Sequence, residues 1–181
     1  MGQEELQGGV SQQLTDLLLI TLKIKKIASM ASFAFYNYFK DNFEVTFTGI
    51  ITKIYDADKS IIVRTTSNLN LNYLDSLLWN FNPTSFVPHD KSDEPLSRDT
   101  PVYLTTGGEV TDNAETLILV NGAKFYSNEF DSFSKVIIIF CKTDPDSIIE
   151  ARNIWQSTTS KQIEKQYWIQ NEFGWSKNIA K

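Results

Sequence analysis

A run of five apolar residues, Val136-Ile137-Ile138-Ile139-Phe140, constrains the fold more than any other part of the chain. The run does not alternate with polar residues, so a strand built from it has no side that faces solvent. Such strands are typical of the middle of a parallel sheet, where helices cover both faces. Asp144-Pro145 follows, and a capping residue before a proline at the first helical position is a helix-start signal. The run therefore predicts a central parallel strand that leads into a helix.

Strand and helix patterns alternate along the rest of the chain. Short β-branched or alternating runs predict strands at 32–39, 60–65, 101–105, 116–120 and 166–170. Apolar residues at helical spacing predict a helix that includes Leu71 to Phe81, and another over Phe43 to Ile54, for which a strand remains the alternative. The helix that starts at Pro145 is expected to bury Ile148, Ala151 and Trp155. This alternation predicts a single α/β domain with a mostly parallel sheet flanked by helices.

The stretch from Leu74 to His89 joins the end of an amphipathic helix to an unusually apolar loop. Asn82-Pro83 ends the helix, because proline disfavours the helical region for the residue before it. The loop then contains Phe86-Val87-Pro88, where a surface loop would usually be polar. Two interpretations stay open: Phe86 folds back into the core, or it is an exposed aromatic anchor for another protein.

Residues 1–31 differ in composition from the rest of the chain. The first thirteen residues are polar and contain glycine, which predicts disorder, and Leu14 to Ile27 is apolar. This apolar segment is shorter than the ~20 residues that a membrane span needs. Its lysines follow the apolar run, whereas those of a signal peptide precede it. We expect no membrane segment and interpret residues 1–31 as an extension outside a domain at 32–181, for example an overlong translation start; the alternative is a docked N-terminal helix.

The charge balance and the missing motifs restrict the function. The chain has 17 basic and 22 acidic residues, a net charge of −5, whereas proteins that grip nucleic-acid backbones usually carry a basic face. It contains no GxGxxG or GxxxxGK[ST] phosphate loop and no GxSxG motif. Its single histidine, His89, is expected at the surface, and its single cysteine, Cys141, is typical of a reducing cytoplasm. We therefore expect a protein that is not an enzyme and has no metal or other cofactor.

Several ordered segments resemble one known family. The first are Leu78-Trp79 and Ser85-Phe86-Val87-Pro88-His89. The later ones are 101–106 (PVYLTT), 117–123 (LILVNGA), 136–140 (VIIIF), 151–155 (ARNIW), 167–170 (YWIQ) and 174–175 (GW). Together these segments, over roughly residues 32–181, resemble the chi subunit of the bacterial DNA polymerase III holoenzyme. The resemblance implies a Rossmann-like three-layer domain and a non-catalytic accessory subunit of the clamp-loader assembly.

The resemblance also implies a surface that binds the acidic, Phe-ended tail of the single-stranded DNA-binding protein. In the chi family the last helix carries an arginine, an aromatic residue three positions later and then a lysine. Arg152 and Trp155 match the first two, and Gln156 and Thr159 stand where basic residues are expected. The spacing places all four on one helix face. We expect weak tail binding, with Lys142 or Lys161 as candidate substitutes for the missing cations.

The resemblance implies a second surface, for the psi subunit that links chi to the clamp loader or for another replication or repair protein. We expect Trp79, Phe86, Val87 and Pro88 to form it. The basic residues elsewhere, Arg64 among them, are scattered along the chain, so we expect contact with DNA only indirectly, through the single-stranded DNA-binding protein. The alternative function is a small nucleotide- or nucleic-acid-processing enzyme on the same fold, which the missing phosphate loop disfavours.

Overall fold

The computed structural model describes residues 31–39, 42–82, 86–92, 100–108, 114–159 and 163–178. The strands in these ranges are β1 (Ser32–Tyr38), β2 (Ile61–Arg64), β3 (His89–Lys91), β4 (Val102–Thr105), β5 (Thr116–Val120), β6 (Lys135–Cys141), β7 (Lys165–Asn171) and β8 (Gly174–Asn178). The helices are α1 (Phe43–Tyr55), α2 (Asn68–Asn80) and α3 (Pro145–Thr159). A single 3-10 turn, Ser127–Glu129, lies between β5 and β6.

The described strands form one sheet in the order β3-β4-β2-β5-β6-β1-β7-β8. Neighbouring strands are parallel, except that β8 runs antiparallel to β7. The apolar run at 136–140 lies in β6, between β5 and β1, so the prediction of a central parallel strand is confirmed. The prediction of an α/β domain with a mostly parallel sheet and flanking helices is confirmed as well.

Successive side chains of each strand point to opposite faces, and two cores result. On one face, α1 and α2 pack on the sheet through Phe47, Ile51, Leu74 and Leu78. On the other face, α3 and the irregular segment 121–133 cover residues such as Phe35. Because helices and loops cover both faces of the central strands, the domain has the three layers that its strand pattern predicts.

The local predictions were correct where the apolar pattern is strong. Residues 43–55 form a helix, so the strand alternative is wrong, and buried Phe47 and Ile51 lie on its inner face. Asn42 stands at the amino-terminal cap of α1 without a side-chain cap hydrogen bond. Two strands were not predicted. His89–Lys91 forms the edge strand β3 where a loop was expected, and β8 extends the other edge of the sheet.

The expected extension at the amino terminus lies outside the described residues, apart from residue 31, and so does Lys161. The interpretation of residues 1–31 therefore stays a prediction. Among the helices that the structure describes, none has the length and apolar character needed to cross a bilayer.

Candidate protein-interaction site

An open cavity of about 270 Å³ lies between α3 and the strands β1, β6 and β7. Its lining is mostly apolar or aromatic, with two cations. The lining residues are Phe35, Asn37, Phe140, Lys142, Ile148, Ala151, Arg152, Trp155 and Tyr167. The strand β6 ends at Cys141, and α3 starts at Pro145 after a short turn and packs back on the sheet with Ala151 and Ile154 buried.

Trp155 forms an aromatic wall of this cavity. Its ring meets Phe35 of β1 edge-on, with ring centroids 4.9 Å apart, and Tyr167 of β7 at 6.1 Å. These edge-to-face contacts hold the indole in place, although Trp155 is only partly buried. Asn37 donates a hydrogen bond to the Tyr167 hydroxyl at 3.0 Å, and its own Oδ1 has no partner in the described part of the chain. The pocket therefore offers a rigid apolar floor with one unused acceptor beside it.

Three cations surround the aromatic wall. Arg152 and Lys142 are exposed and line the cavity. Lys165 of β7 places its Nζ 4.6 Å from the centre of the Trp155 ring and donates a hydrogen bond to Thr159 Oγ1 at 3.0 Å. Burial lowers the pKa of Lys165 from its usual value, because the charged amine is partly removed from water. None of the three forms an ion pair with a carboxylate of the described residues.

The residues named from the sequence fall on one side of α3. Arg152, Trp155, Gln156 and Thr159 occupy its last two turns, and all but Trp155 are exposed. Thr159 also donates to the carbonyl of Trp155 at 2.8 Å and so holds the last turn while it accepts from Lys165. Sequence reasoning missed Lys165, because its closeness to Trp155 depends on the pairing of β1 with β7, which no local pattern reveals.

A second candidate surface lies at the end of α2. Trp79 and Phe86 are 59% and 52% exposed, and their ring centroids lie 5.1 Å apart. Pro88 beside them is partly exposed. Phe86 is therefore exposed and does not fold back into the core, while its role as an anchor for another protein stays a prediction. Two neighbouring exposed aromatic rings are unusual on a protein surface that contacts only water.

Val87 and His89 differ from what the sequence suggested. Val87 is fully buried in the core beneath α2, so it offers no side-chain surface to a partner. The side chain of His89, expected at the surface, is buried as well. Its Nδ1 lies 2.8 Å from the carbonyl oxygen of Val87, and its Nε2 lies 3.3 Å from Asp75 Oδ1. Both residues point inward because β3 adds this segment to the edge of the sheet.

Arg64 is another departure from the sequence interpretation, which counted it among the scattered surface cations. It is 1% exposed and forms a buried ion pair with Glu129. Its guanidinium also donates to the carbonyl of Lys124 at 2.9 Å and lies over the Tyr126 ring. Arg64 therefore connects the end of β2 to the segment 121–133. Because it is buried, it does not contribute to the positive charge on the surface of the domain.

The family model of the DNA polymerase III chi subunit, HolC, matches residues 30–166, which include the residues of both surfaces except Tyr167. The chain belongs to the DNA polymerase III chi subunit family. A relative from Rickettsia prowazekii (strain Madrid E), named "Probable DNA polymerase III subunit chi", is 24% identical over 95 residues. That alignment spans 52% of this chain and 58% of the relative. Members of the chi family are non-catalytic accessory subunits of DNA polymerase III, so the enzyme alternative is set aside.

Proposed function

We propose that this chi subunit binds the acidic, Phe-ended tail of the single-stranded DNA-binding protein in the cavity beside α3. One observation carries the proposal: an apolar pocket with aromatic walls opens between Arg152 and Lys142, two exposed cations without carboxylate partners among the described residues. A tail of this kind presents an aromatic ring and several carboxylates. Such a peptide needs an apolar pocket and nearby cations at once.

The size and polarity of the pocket suit the terminal Phe of the tail. A cavity of about 150 Å³ holds a benzene ring, so about 270 Å³ leaves room for a phenyl group. Phe35, Trp155 and Tyr167 would surround the ring. The unused Oδ1 of Asn37 is an acceptor for a backbone N–H of the peptide. The terminal carboxylate would then lie near Arg152 or Lys142.

Lys165 would supply part of the positive charge that is missing because Gln156 stands where a basic residue is expected. The lysine reaches α3 from β7, and its hydrogen bond to Thr159 keeps the amine beside Trp155. The pKa of this amine is lowered by burial, and a tail carboxylate close to it would offset that effect. Arg152 of α3 and Lys142 of the turn after β6 thus line the pocket, and Lys165 of β7 adds a third cation beside its Trp155 wall.

Calorimetric titration with the tail peptide of the cognate single-stranded DNA-binding protein tests the proposal. If Arg152 makes a charge-assisted contact of ~1.5–3 kcal/mol, Arg152→Ala should weaken binding roughly tenfold or more. Lys165→Met should weaken it by a smaller factor, and added salt should weaken it further. Lys177→Met is the matched control, because Lys177 also lies over a tryptophan, Trp168, but does not line the cavity beside α3. Unchanged affinity after removal of the terminal Phe would refute the pocket.

We propose that the second surface, formed by Trp79, Phe86 and Pro88, binds the psi subunit or another replication or repair protein. Exposure of both aromatic rings supports this, since aromatic anchors dominate the binding energy of many interfaces. The two surfaces together would link the single-stranded DNA-binding protein to the clamp-loader assembly. In this arrangement the subunit reaches DNA through its protein partner.

A further inference from the structure

A second cavity, of about 380 Å³, lies on the opposite face of the sheet. It opens between the end of α1 and the first residues of β5 and β6. Adjacent residues of β1 divide between the two cavities, because successive side chains of a strand point to opposite faces: Phe35 lines the first and Tyr36 the second. Ile50, Ile54 and Ile137 form the apolar walls of the second cavity.

Two of the cations that line this cavity have no carboxylate partner among the described residues. Lys59 pairs with Glu115, with 2.5 Å between Nζ and Oε2. Lys53 of α1 and Lys135 of β6 also line the cavity, and neither forms an ion pair within the residues that the structure describes. The lining therefore carries an excess of positive charge around an apolar interior, although the chain as a whole is acidic.

An aromatic cluster fixes the floor of the cavity. The Tyr36 ring is parallel to Trp168 of β7, with centroids 6.1 Å apart, and meets Trp175 of β8 edge-on at 5.2 Å. A tyrosine hydroxyl is neutral at pH 7, and burial raises the pKa of Tyr36 further. A carboxylate that enters the cavity thus meets Lys53 and Lys135, and the side chain of Tyr36 lines the same cavity.

We propose that this second cavity binds another acidic peptide segment with an apolar side chain, so that one chi subunit holds two tails of an oligomeric partner. The inference rests on the proposed function, because it assigns the same class of ligand to both cavities. The charge of the cavity is complementary to an acidic peptide, and its aliphatic walls suit an apolar side chain.

Two binding sites would change how strongly an oligomeric partner is held. Once one tail is bound, a second tail of the same oligomer is at an effective concentration in the millimolar range for a short flexible linker. Weak binding at each site then combines into tighter attachment. This tighter attachment would offset the affinity that is lost because Gln156 stands where a cation is expected.

The stoichiometry of peptide binding tests the inference. In calorimetric titration with a synthetic Asp-rich peptide that ends in Phe, we expect two sites per chain. Arg152→Ala should leave one of them, and the double variant Lys53→Met/Lys135→Met should leave the other. Lys177→Met again serves as the control, and circular dichroism checks that every variant is folded.

A single site that Arg152→Ala removes would overturn the inference and leave the proposed function intact. A single site that only the Lys53→Met/Lys135→Met variant removes would overturn the proposed pocket beside α3 and the binding of two tails. Saturable binding of ATP or a short oligothymidine that the double variant abolishes, together with one peptide site, would also overturn the inference.

Discussion

Replacement of Glu129 by glutamine should destabilise the domain strongly. The side chains of Glu129 and Arg64 are each 2% exposed. The carboxylate accepts hydrogen bonds from both terminal nitrogens of Arg64, with 3.0 Å to Nη1, and from the backbone N–H of Tyr126 at 2.8 Å. Glu129→Gln keeps the shape of the side chain and removes its charge, which leaves the guanidinium buried without a counter-ion.

The expected magnitude follows from that burial. Removal of one partner of a buried ion pair costs about 3–5 kcal/mol of unfolding free energy. At roughly 2–4 °C per kcal/mol for a chain of this size, Tm should fall by roughly 6–20 °C. Glu115→Gln is the control, because Glu115 belongs to an ion pair whose side chains are 44–48% exposed, and such pairs contribute about 0–1 kcal/mol.

Thermal unfolding followed by far-UV circular dichroism measures both variants. A third variant, Arg64→Met/Glu129→Leu, replaces the pair with apolar side chains and should recover much of the lost stability, because no buried charge is left unpaired. The reasoning is refuted if Glu129→Gln lowers Tm no more than Glu115→Gln does. It is also refuted if the double variant is less stable than Glu129→Gln alone.

Two further predictions concern the second surface and the response to pH. Phe86→Ala should leave Tm nearly unchanged, because Phe86 is 52% exposed, and should abolish capture of psi or another replication partner in a pull-down; a large fall in Tm would assign the ring to the core instead. Stability should also fall as pH rises above about 10, because burial raises the pKa of Tyr36 and Tyr38 in the folded chain, while both tyrosines ionise near 10.0 once unfolded. Tyr38→Phe should reduce this alkaline loss of Tm, and an identical loss in the variant would contradict the assignment.

The parts of the fold that could be predicted from sequence are those with their own apolar pattern. The predicted strand at 116–120 has the observed bounds, and Pro145 begins the predicted helix α3. β3 could not be predicted, since His89-Asp90-Lys91 has no strand pattern of its own and pairs only because β4 lies beside it. β8 likewise depends on its pairing with β7.

The site was predictable to the same extent. Helical spacing placed Arg152 and Trp155 on one face of α3. Lys142, one of the two candidate substitute cations, lines the same cavity, a position that the sequence could not give. The contribution of Lys165 depends on strand pairing, and the burial of Arg64 depends on Glu129, which lies 65 residues further along the chain. Long-range contacts of this kind leave no periodic signal in the sequence.

The burial of Val87 has a consequence for the kinetics of partner binding. Its side chain is fixed in the core, and its carbonyl oxygen lies 2.8 Å from His89 Nδ1, so two contacts hold the backbone that follows Phe86. A partner that docks on Phe86 therefore loses little free energy to ordering that backbone. Substitutions at the exposed rings should then act mainly on the dissociation rate. Substitutions that loosen the packing of Val87 should instead slow association, because the backbone beside Phe86 would have to become ordered during each encounter.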